Sequence, residues 1–338
     1  MSWQGIEGHD AVVRAFAAAA ARGRVSGAYL FVGPPGVGKA SFARRLAQAL
    51  ACPACGPGLV PCGRCASCVQ AEAGSHPDID VVAKPEDRAT IPLESLIGDA
   101  AHRMREGLCW RMLLRPTLAA RKVGIILDAD ALSVEGANCL LKLLEEPPEA
   151  AVFILVGTAV ERQLPTIRSR CQTVRFAALD DATVRRVLAA ERQAGADTDE
   201  AALDDAAAAS GGSLTRARLL LDAELAAFRG RLVELLASRP LRGVELARET
   251  LAVVEAAGKE APPRRARLRM VLETALDDFR GALRRAATDS APPDAEEAVA
   301  RMQVTLDALA AIDRNANLSV LVDAWTAVLE EPRLRSAT

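Results

Sequence analysis

LFVGPPGVGKASFARRLAQAL, residues 30–50, has the layout of an apolar strand, a glycine-rich turn and a helix. Backbone N–H groups of such a turn, together with the positive end of the helix dipole, form a cradle for phosphate groups. The pattern G-x-x-x-x-G-K-[ST] fits Gly33 through Lys39, but Ala40 stands where a hydroxyl should follow. Ser41 offers a hydroxyl one residue late, about 100° further around the helix, and cannot replace it. The stretch predicts a phosphate-binding loop without its magnesium-holding hydroxyl.

The glycines and the lysine of this turn have defined tasks in a phosphate-binding loop. Gly33 opens the turn, and Gly36 and Gly38 let the backbone turn tightly and approach a ligand closely. Lys39 would reach the β- and γ-phosphates of a nucleotide. Two interpretations stay open: the loop still binds ATP or ADP, or it keeps only the shape of a nucleotide site.

A second apolar run, GIILDAD at 124–130, predicts a buried strand that ends in acidic residues. Asp128 is the candidate metal-side acid, and Ala129 then occupies the position of the glutamate that polarises an attacking water. Asp130 is expected to point elsewhere on the strand or to lie in the following turn. Phosphoryl transfer depends on positioning and electrostatics. The losses at Ala40 and Ala129 together predict that the chain does not hydrolyse nucleotide by itself.

Length and charge limit the classes of protein. The 338 residues favour two or three domains of roughly 100–200 residues each. The formal net charge of -2 gives no overall basic footprint for nucleic acid. No apolar run reaches the ~20 residues of a bilayer-spanning helix, and the N-terminus lacks the layout of a signal peptide. We expect a cytoplasmic protein with no membrane contact.

Strands and helices alternate over residues 1–176, which predicts an α/β domain with a mainly parallel sheet. Residues 177–222 contain short helical segments broken by glycine and predict a small helical domain. Residues 223–338 show only helical periodicity, with inter-helix loops expected at 259–265 and 289–294. The predicted elements of the first domain include strands at 27–33, 78–84, 122–130, 151–158 and 172–176 and one helix at 92–107.

A cysteine-rich insert at 52–68 contains a tight run at x₂ spacing, formed by Cys62, Cys65 and Cys68. Disulfides are rare in the cytoplasm, and four thiolates at such spacing are typical of a closed zinc site that stabilises a fold. The fourth ligand is either Cys52, after a gap of nine residues, or Cys55, after a gap of six. An iron–sulfur cluster is the weaker alternative, because nothing else in the sequence indicates redox chemistry.

The segment PTIRSRC, 165–171, contains Arg168 and Arg170 near the end of the predicted sheet domain. The residues alone favour surface salt bridges, which is the usual role of exposed arginine. The functional alternative is an arginine finger, a side chain that stabilises transition-state charge at a nucleotide bound by a neighbouring subunit.

Taken together, these motifs resemble the clamp-loader subunits of bacterial DNA polymerase III, a family of the AAA+ class. The resemblance covers residues 1–222 strongly and the rest mainly through RNANLSVLVDAWTAVL, 314–329, which is similar to the last collar helix of the family. The motifs that carry it are GPPGVGK, the cysteine insert directly after the first loop helix, DADALSVEGANCLLKLLEEPP, LPTIRSRC and GGSLTRA.

The resemblance implies roles for particular residues. Gamma/tau motor subunits carry a complete loop and an Asp-Glu pair, whereas delta-prime members keep the SRC arginine and the zinc module but tend to lose ATPase residues. Ala40 and Ala129 therefore match the delta-prime members. The family then implies Arg170 as an arginine finger acting in trans and Cys52 as the fourth zinc ligand. Arg216 matches the second sensor, which contacts nucleotide in active members.

The resemblance also implies an assembly. Five subunits, including gamma/tau and delta, form a ring through helical collars, here 223–338, while 177–222 serves as a lid. The ring opens the sliding clamp and places it on primed DNA. Two alternatives stay open, an ATP-hydrolysing motor subunit of the same complex and a non-replicative scaffold built on a degenerate loop. The two alanines argue against the first, and the SRC arginine argues against the second.

Overall fold

The computed structural model describes residues 3–56, 58–85, 88–192, 200–288 and 292–331. The chain divides into two compact units, Met1–Ala217 and Arg218–Thr338. The first unit contains the sheet and the helices around it, and the second contains helices. In the described part of the chain, no helix is both long and apolar enough to cross a bilayer.

The first unit is built on a five-stranded sheet in which every pairing is parallel. The strands lie in the order β2-β3-β4-β1-β5. The three central strands are buried at every position, which agrees with their continuous apolar sequences. The parallel sheet predicted from the sequence is confirmed. The strands are β1 Ala28–Val32, β2 Ile79–Val82, β3 Lys122–Ile126, β4 Ala151–Val156 and β5 Gln172–Arg175.

Helices cover both faces of the sheet, as parallel strands require. One core contains Phe31 of β1 and Phe42 of the helix that follows the loop, and the opposite core contains Leu30 of β1 and Leu140. The helices of this unit are α1 Asp10–Ala21, α2 Lys39–Ala51, α3 Ala66–Glu72, α4 Leu93–Ile97, α5 Gly107–Leu113, α6 Val134–Glu145, α7 Pro165–Arg168, α8 Asp181–Arg192, α9 Glu200–Ala209 and α10 Leu214–Leu220, with a 3₁₀ turn at Ala129–Ala131.

The prediction of a single helix at 92–107 is wrong. The chain forms α4, a compact loop and then α5. Gly98 and Gly107 both adopt left-handed backbone conformations, with φ of 83° and 82°. A Cβ at Gly107 would come within 2.6 Å of the backbone nitrogen of Gly98, so the two glycines allow a close approach that a continuous helix would prevent.

The second unit contains α11 Ala223–Ala237, α12 Gly243–Glu255, α13 Ala261–Thr288, α14 Pro292–Asp313 and α15 Leu318–Glu330, and no strand among its described residues. The prediction of a loop at 259–265 is wrong for most of its length, because α13 begins at Ala261. Pro262 and Pro263 lie in its first turn, where the missing N–H groups cost no hydrogen bond. Of the loop expected at 289–294, residues 289–291 lie outside the described part of the chain, and residues 292–294 are not a loop because they form the start of α14.

Asp78, just before β2, ties the sheet to the segment that leads into β3. Its side chain is completely buried and lies 3.7 Å from the Lys122 ammonium. Burial raises the pKa of the Asp78 carboxyl, but N–H donors and Lys122 outweigh burial and hold the pKa below its ordinary value. The donors are the backbone N–H groups of Thr117, Leu118 and Ala119, at 2.8, 2.7 and 2.9 Å.

Replacing Asp78 with Asn removes the charge around which these groups are arranged. We expect D78N to lower the free energy of unfolding by about 3 kcal/mol at neutral pH. Because the folded pKa lies below the unfolded one, the contribution of Asp78 is present above the unfolded pKa of about 3.9 and is lost as pH falls through the folded value. Urea unfolding as a function of pH measures both effects.

Asp99→Asn is the matched control. Asp99 also accepts backbone hydrogen bonds, from Ala101 at 2.9 Å and His102 at 2.8 Å, but its side chain is exposed. Its replacement should change stability little. Equal losses of unfolding free energy for D78N and D99N would contradict a special contribution from the buried Asp78 carboxylate and its hydrogen bonds.

Candidate functional site

The phosphate-binding loop begins where β1 ends. Gly33 has φ of 154°, its N–H donates to the Thr158 carbonyl at 3.0 Å, and a Cβ there would overlap the carbonyl oxygen of Phe176. Gly38 has φ of 97° and immediately precedes α2. Only glycine adopts these conformations without strain, so the backbone turns tightly from β1 into the helix N-terminus.

The first turn of α10 packs against the middle of the loop. Gly36 has φ of 78°, and its carbonyl oxygen accepts a hydrogen bond from the Leu214 N–H at 2.9 Å. A Cβ at Gly36 would overlap the Ser213 hydroxyl and lie 3.1 Å from the Thr215 hydroxyl. Arg216, the predicted sensor residue, lies on this helix, and its N–H donates to the Ser213 hydroxyl at 3.3 Å. The structure therefore brings the helix of Arg216 to the loop.

Lys39 is bonded to its own loop. Its ammonium donates to the carbonyl oxygens of Gly33 and Pro34, both at 2.6 Å. The residue is only 7% exposed. Burial lowers the pKa of the Lys39 ammonium, and the nearby Asp130 carboxylate acts in the opposite direction. The ammonium thus holds together the carbonyl groups at the start of the loop.

The acidic residues after β3 lie in different local structures, and Asp130 lies in the turn that follows the strand, one of the two expected placements. Asp128 is exposed and adopts a left-handed conformation with φ of 55°, directly before the 3₁₀ turn that follows β3. Asp130 lies in the 3₁₀ turn, and its carboxylate accepts hydrogen bonds from the Thr158 N–H at 2.9 Å and the Gln163 amide. It is Asp130 that acts on the pKa of Lys39.

Two alanines, Ala40 and Ala129, stand where the motifs call for a hydroxyl and a glutamate. Ala40 is half-buried in the first turn of α2, whereas the Ser41 side chain is exposed. Ala129 is buried, with 3% of its surface exposed. The loop therefore keeps its glycine geometry and its lysine, and it lacks the hydroxyl that would hold Mg²⁺ beside the phosphates.

Arg170 lies in the short turn between α7 and β5. Its guanidinium pairs with the Glu145 carboxylate at the end of α6, with Nε and Nη2 both 3.1 Å from Oε2. Its Nη1 donates to the Thr166 carbonyl at 3.2 Å and the Ser169 hydroxyl at 3.3 Å. The side chain keeps 29% of its surface exposed, so the guanidinium lies at the protein surface.

Arg170 and the loop lie at opposite edges of the sheet. Gln172, the first residue of β5, pairs with Tyr29 near the start of β1. Arg170 therefore lies at the amino edge, whereas the loop follows the carboxyl end of β1. At ~3.3 Å per residue, the length of β1 separates the two edges by about 15 Å. Arg170 cannot reach the loop of its own chain.

The cysteine insert brings four thiols together. The sulfur atoms of Cys52, Cys62, Cys65 and Cys68 all lie within 4.8 Å of one another. Two of the separations, Cys52 to Cys65 and Cys62 to Cys68, are 4.0 Å. Cys55 lies outside this group, and its sulfur is instead 3.8 Å from the Gly56 carbonyl oxygen. Cys52 rather than Cys55 completes the cluster.

The donor set fits a tetrahedral zinc ion. With Zn–S bonds of about 2.3 Å, a tetrahedron places its sulfurs about 3.8 Å apart. Backbone N–H groups also support the sulfurs: the Cys62 N–H donates to Cys52 and the Cys68 N–H donates to Cys65, both at 3.4 Å. These four residues could hold a structural metal ion.

A serine, a histidine and an aspartate beside the insert form structural hydrogen bonds and not a nucleophilic site. The Asp78 N–H donates to Nδ1 of His76 at 3.0 Å, so that nitrogen is an acceptor. Nε2 then donates to the Ser67 hydroxyl at 2.8 Å, which itself donates to the Ala51 carbonyl at 2.9 Å. No base remains for the hydroxyl proton of this buried serine.

Sequence reasoning missed the partners of two site residues. Asp130 bonds to Thr158, and Arg170 bonds to Glu145. The sequence does contain a signal for Glu145. A carboxylate at the C-terminal end of a helix is disfavoured by the helix dipole, which indicates that it has a cationic partner. For Thr158 no local signal existed, since its contact depends on the pairing of β3 with β4.

Strand β4 lies between β1, which leads into the loop, and β3, which leads into the acidic turn. This sheet order, the glycine loop with its lysine and the helices α8–α10 that follow define a P-loop protein of the AAA+ class. A family profile described as "DNA polymerase III, delta subunit" matches residues 8–180, just over half of the chain. The chain belongs to the clamp-loader subunit family of bacterial DNA polymerase III.

Relatives carry the names of two kinds of clamp-loader subunit. DNA polymerase III subunit gamma/tau of Mycobacterium bovis is 37% identical over 226 residues, which are 67% of this chain and 37% of that protein. DNA polymerase III subunit delta' of Pseudomonas aeruginosa is 36% identical over 146 residues, 43% of this chain and 41% of that protein. The matched region thus spans less than half the length of these relatives.

Solved structures give a looser match over most of the chain. A DNA polymerase III gamma-subunit-related protein of Thermotoga maritima is 19% identical and has a TM-score of 0.44, with 94% of this chain and 98% of that chain covered. A RuvB mutant of the same organism is 18% identical with a TM-score of 0.41, covering 82% of this chain and 76% of that chain.

The four-thiol cluster predicts the metal content of variants. Purified protein should contain about one zinc ion per chain. Cys52→Ser should lose most of this zinc because three thiolates no longer close the site, whereas Cys55→Ser should keep it. Elemental analysis after gel filtration measures the ratio. Equal zinc loss in both variants would contradict the placement of Cys52 in the site, and a zinc-free wild type would reject the site.

Proposed function

We propose that the chain is a delta-prime-type subunit of a DNA polymerase III clamp loader, which does not hydrolyse ATP and supplies Arg170 to the nucleotide of a neighbouring subunit. The observation that carries the proposal is the position of Arg170. Its side chain is partly exposed at the amino edge of the sheet, opposite its own loop. An arginine so placed can act only on a phosphate that another chain brings to this edge.

The chemistry of Arg170 suits that task. A guanidinium stays charged and presents several N–H donors in one plane, which matches the oxygens of a phosphoryl group. During hydrolysis, charge spreads over the oxygens of the transferred group, and an inserted arginine stabilises it. In this proposal Arg170 contacts ATP bound by an adjacent gamma/tau subunit and links ATP binding to closure of the ring.

The chain's own loop then has a structural role. Lys39 already bonds to two loop carbonyl groups, and Ala40 supplies no metal-holding hydroxyl. Gly33, Gly36, Gly38 and Lys39, with Arg216 on the adjoining helix, are the residues that would hold ATP or ADP. The loop amides and the lysine would bind the phosphates of such a nucleotide, and this subunit would not hydrolyse it. Asp128, exposed after the end of β3, remains the candidate metal-side acid of this site.

The proposed partners follow from the family. The chain would join gamma/tau and delta subunits in a cytoplasmic hetero-pentamer, with residues 223–338 as its collar and 177–222 as its lid. The complex would open the sliding clamp and place it on primed DNA. The net charge of -2 gives this chain no overall basic footprint for DNA, so contact with DNA is proposed through the complex. Zinc at Cys52, Cys62, Cys65 and Cys68 would stabilise the insert.

A second candidate is the ATP-hydrolysing gamma/tau motor subunit. It is favoured by the match to relatives of that name, which extends over 226 residues. It requires a metal-binding hydroxyl and a water-orienting acid, and the positions where the sequence places them hold Ala40 and Ala129. A non-replicative scaffold would leave Arg170 without a phosphate to contact.

ATP turnover separates these candidates. The isolated chain should hydrolyse ATP no faster than the background, whereas the complex reconstituted with gamma/tau and delta should hydrolyse it on clamp and primed DNA. Arg170→Ala in this chain should lower turnover at the adjoining motor site by roughly tenfold or more, because the transition-state charge loses its arginine.

Arg168→Ala is the control for this experiment. Arg168 is an exposed arginine two residues away, at the end of α7, and its replacement should leave turnover unchanged. Turnover by the isolated chain at the rate of a motor subunit would support the second candidate instead. An R170A complex with wild-type ATPase and clamp loading would refute the trans role of Arg170.

A further inference from the structure

We infer that Glu145 is a positioning residue, which holds one edge of the Arg170 guanidinium so that the other edge faces a phosphate on a neighbouring subunit. The inference rests on the proposed function of Arg170 and adds a second residue to it. Three observations support it. They are the hydrogen bonds of the guanidinium, the buried neighbours of both residues, and the unfavourable interaction of an acidic residue with the helix dipole at the end of α6.

The guanidinium has two unequal sides. Nε and Nη2 donate to the charged Glu145 carboxylate, both at 3.1 Å. Nη1 donates to two neutral acceptors, the Thr166 carbonyl at 3.2 Å and the Ser169 hydroxyl at 3.3 Å. Both sets of bonds have a charged donor, but only the bonds to Glu145 also gain the attraction between opposite charges. An incoming phosphate therefore displaces the contacts of Nη1 first, while Glu145 keeps the plane of the guanidinium fixed.

Both residues are attached to rigid structure. Leu144 precedes Glu145 and is buried, and the Pro147 ring packs against Gly27, where a Cβ would come within 2.5 Å of its Cγ. On the other side, Cys171 follows Arg170 and is buried in the same core as Leu144. The buried neighbours Leu144 and Cys171 thus fix where Glu145 and Arg170 leave the core.

Stability does not account for Glu145. The residue ends α6, where the helix dipole favours cations and disfavours a carboxylate. Its side chain is 59% exposed, and an ion pair this open to water adds little to folding. A carboxylate kept at an unfavourable helix end is explained by the orientation that it gives to Arg170.

The test uses the reconstituted complex with gamma/tau, delta, clamp and primed DNA. Glu145→Ala in this chain should lower the kcat of ATP turnover by about tenfold at the adjoining site, because a loosely held group loses its productive geometry. KM for ATP should change less than kcat, since the arginine acts most strongly on charge that develops in the transition state. Glu145→Asp, which keeps a carboxylate, should restore part of the rate.

Glu146→Ala is the matched control, because Glu146 is the exposed neighbour in the same sequence motif. It should leave kcat unchanged. The double variant Glu145→Ala with Arg170→Ala should be no slower than Arg170→Ala alone, since Glu145 acts only through the arginine. Thermal unfolding of all variants should match the wild type, which excludes a general loss of structure.

The outcomes separate the two proposals. If Arg170→Ala leaves turnover unchanged, the proposed function fails. If Arg170→Ala lowers turnover but Glu145→Ala equals Glu146→Ala, only the positioning role fails. A faster Glu145→Ala complex would also overturn the inference, because Glu145 would then compete with the phosphate for Arg170. An additive loss in the double variant would show that Glu145 acts by another route.

Discussion

All five strands run in the same direction, and this single constraint gives the sheet two chemically different edges. The carboxyl edge gathers the loop, Lys39, Asp130 and Thr158, where helix N-termini and backbone N–H groups favour anions. The amino edge holds Arg170 and Glu145. The glycine loop with its lysine and the ion-paired arginine therefore lie on opposite sides of the domain.

Parallel pairing also explains why two sequence motifs far apart in the chain belong together. LLKLLEEPP ends α6 just before β4, and PTIRSRC precedes β5, so both lie at the amino edge of the sheet. Their contact joins Glu145 to Arg170. Pro147 contributes by packing on Gly27, at the start of the strand that lies between β4 and β5. The two motifs form one structural unit around a single guanidinium.

The sequence predicted what local chemistry determines. Continuous apolar runs indicated the central strands, glycine spacing indicated the loop, and x₂ spacing indicated the cysteine cluster. What it could not predict depends on contacts between distant residues. The break in the helix expected at 92–107 needs Gly98 and Gly107 to meet backbone to backbone. The bonds of Asp130 to Thr158 and of Arg170 to Glu145 span 28 and 25 residues, and strand register brings these residues together.

Helix α2 begins at Lys39 of the loop and is followed directly by Cys52 of the thiol cluster. Its 13 residues form a rod of about 20 Å with a phosphate cradle at one end and a metal-binding sulfur at the other. Fraying at the sulfur end would shorten the ordered helix that supports the cradle. A metal ion held by the four thiols would therefore fix one end of the helix that carries the loop at its other end.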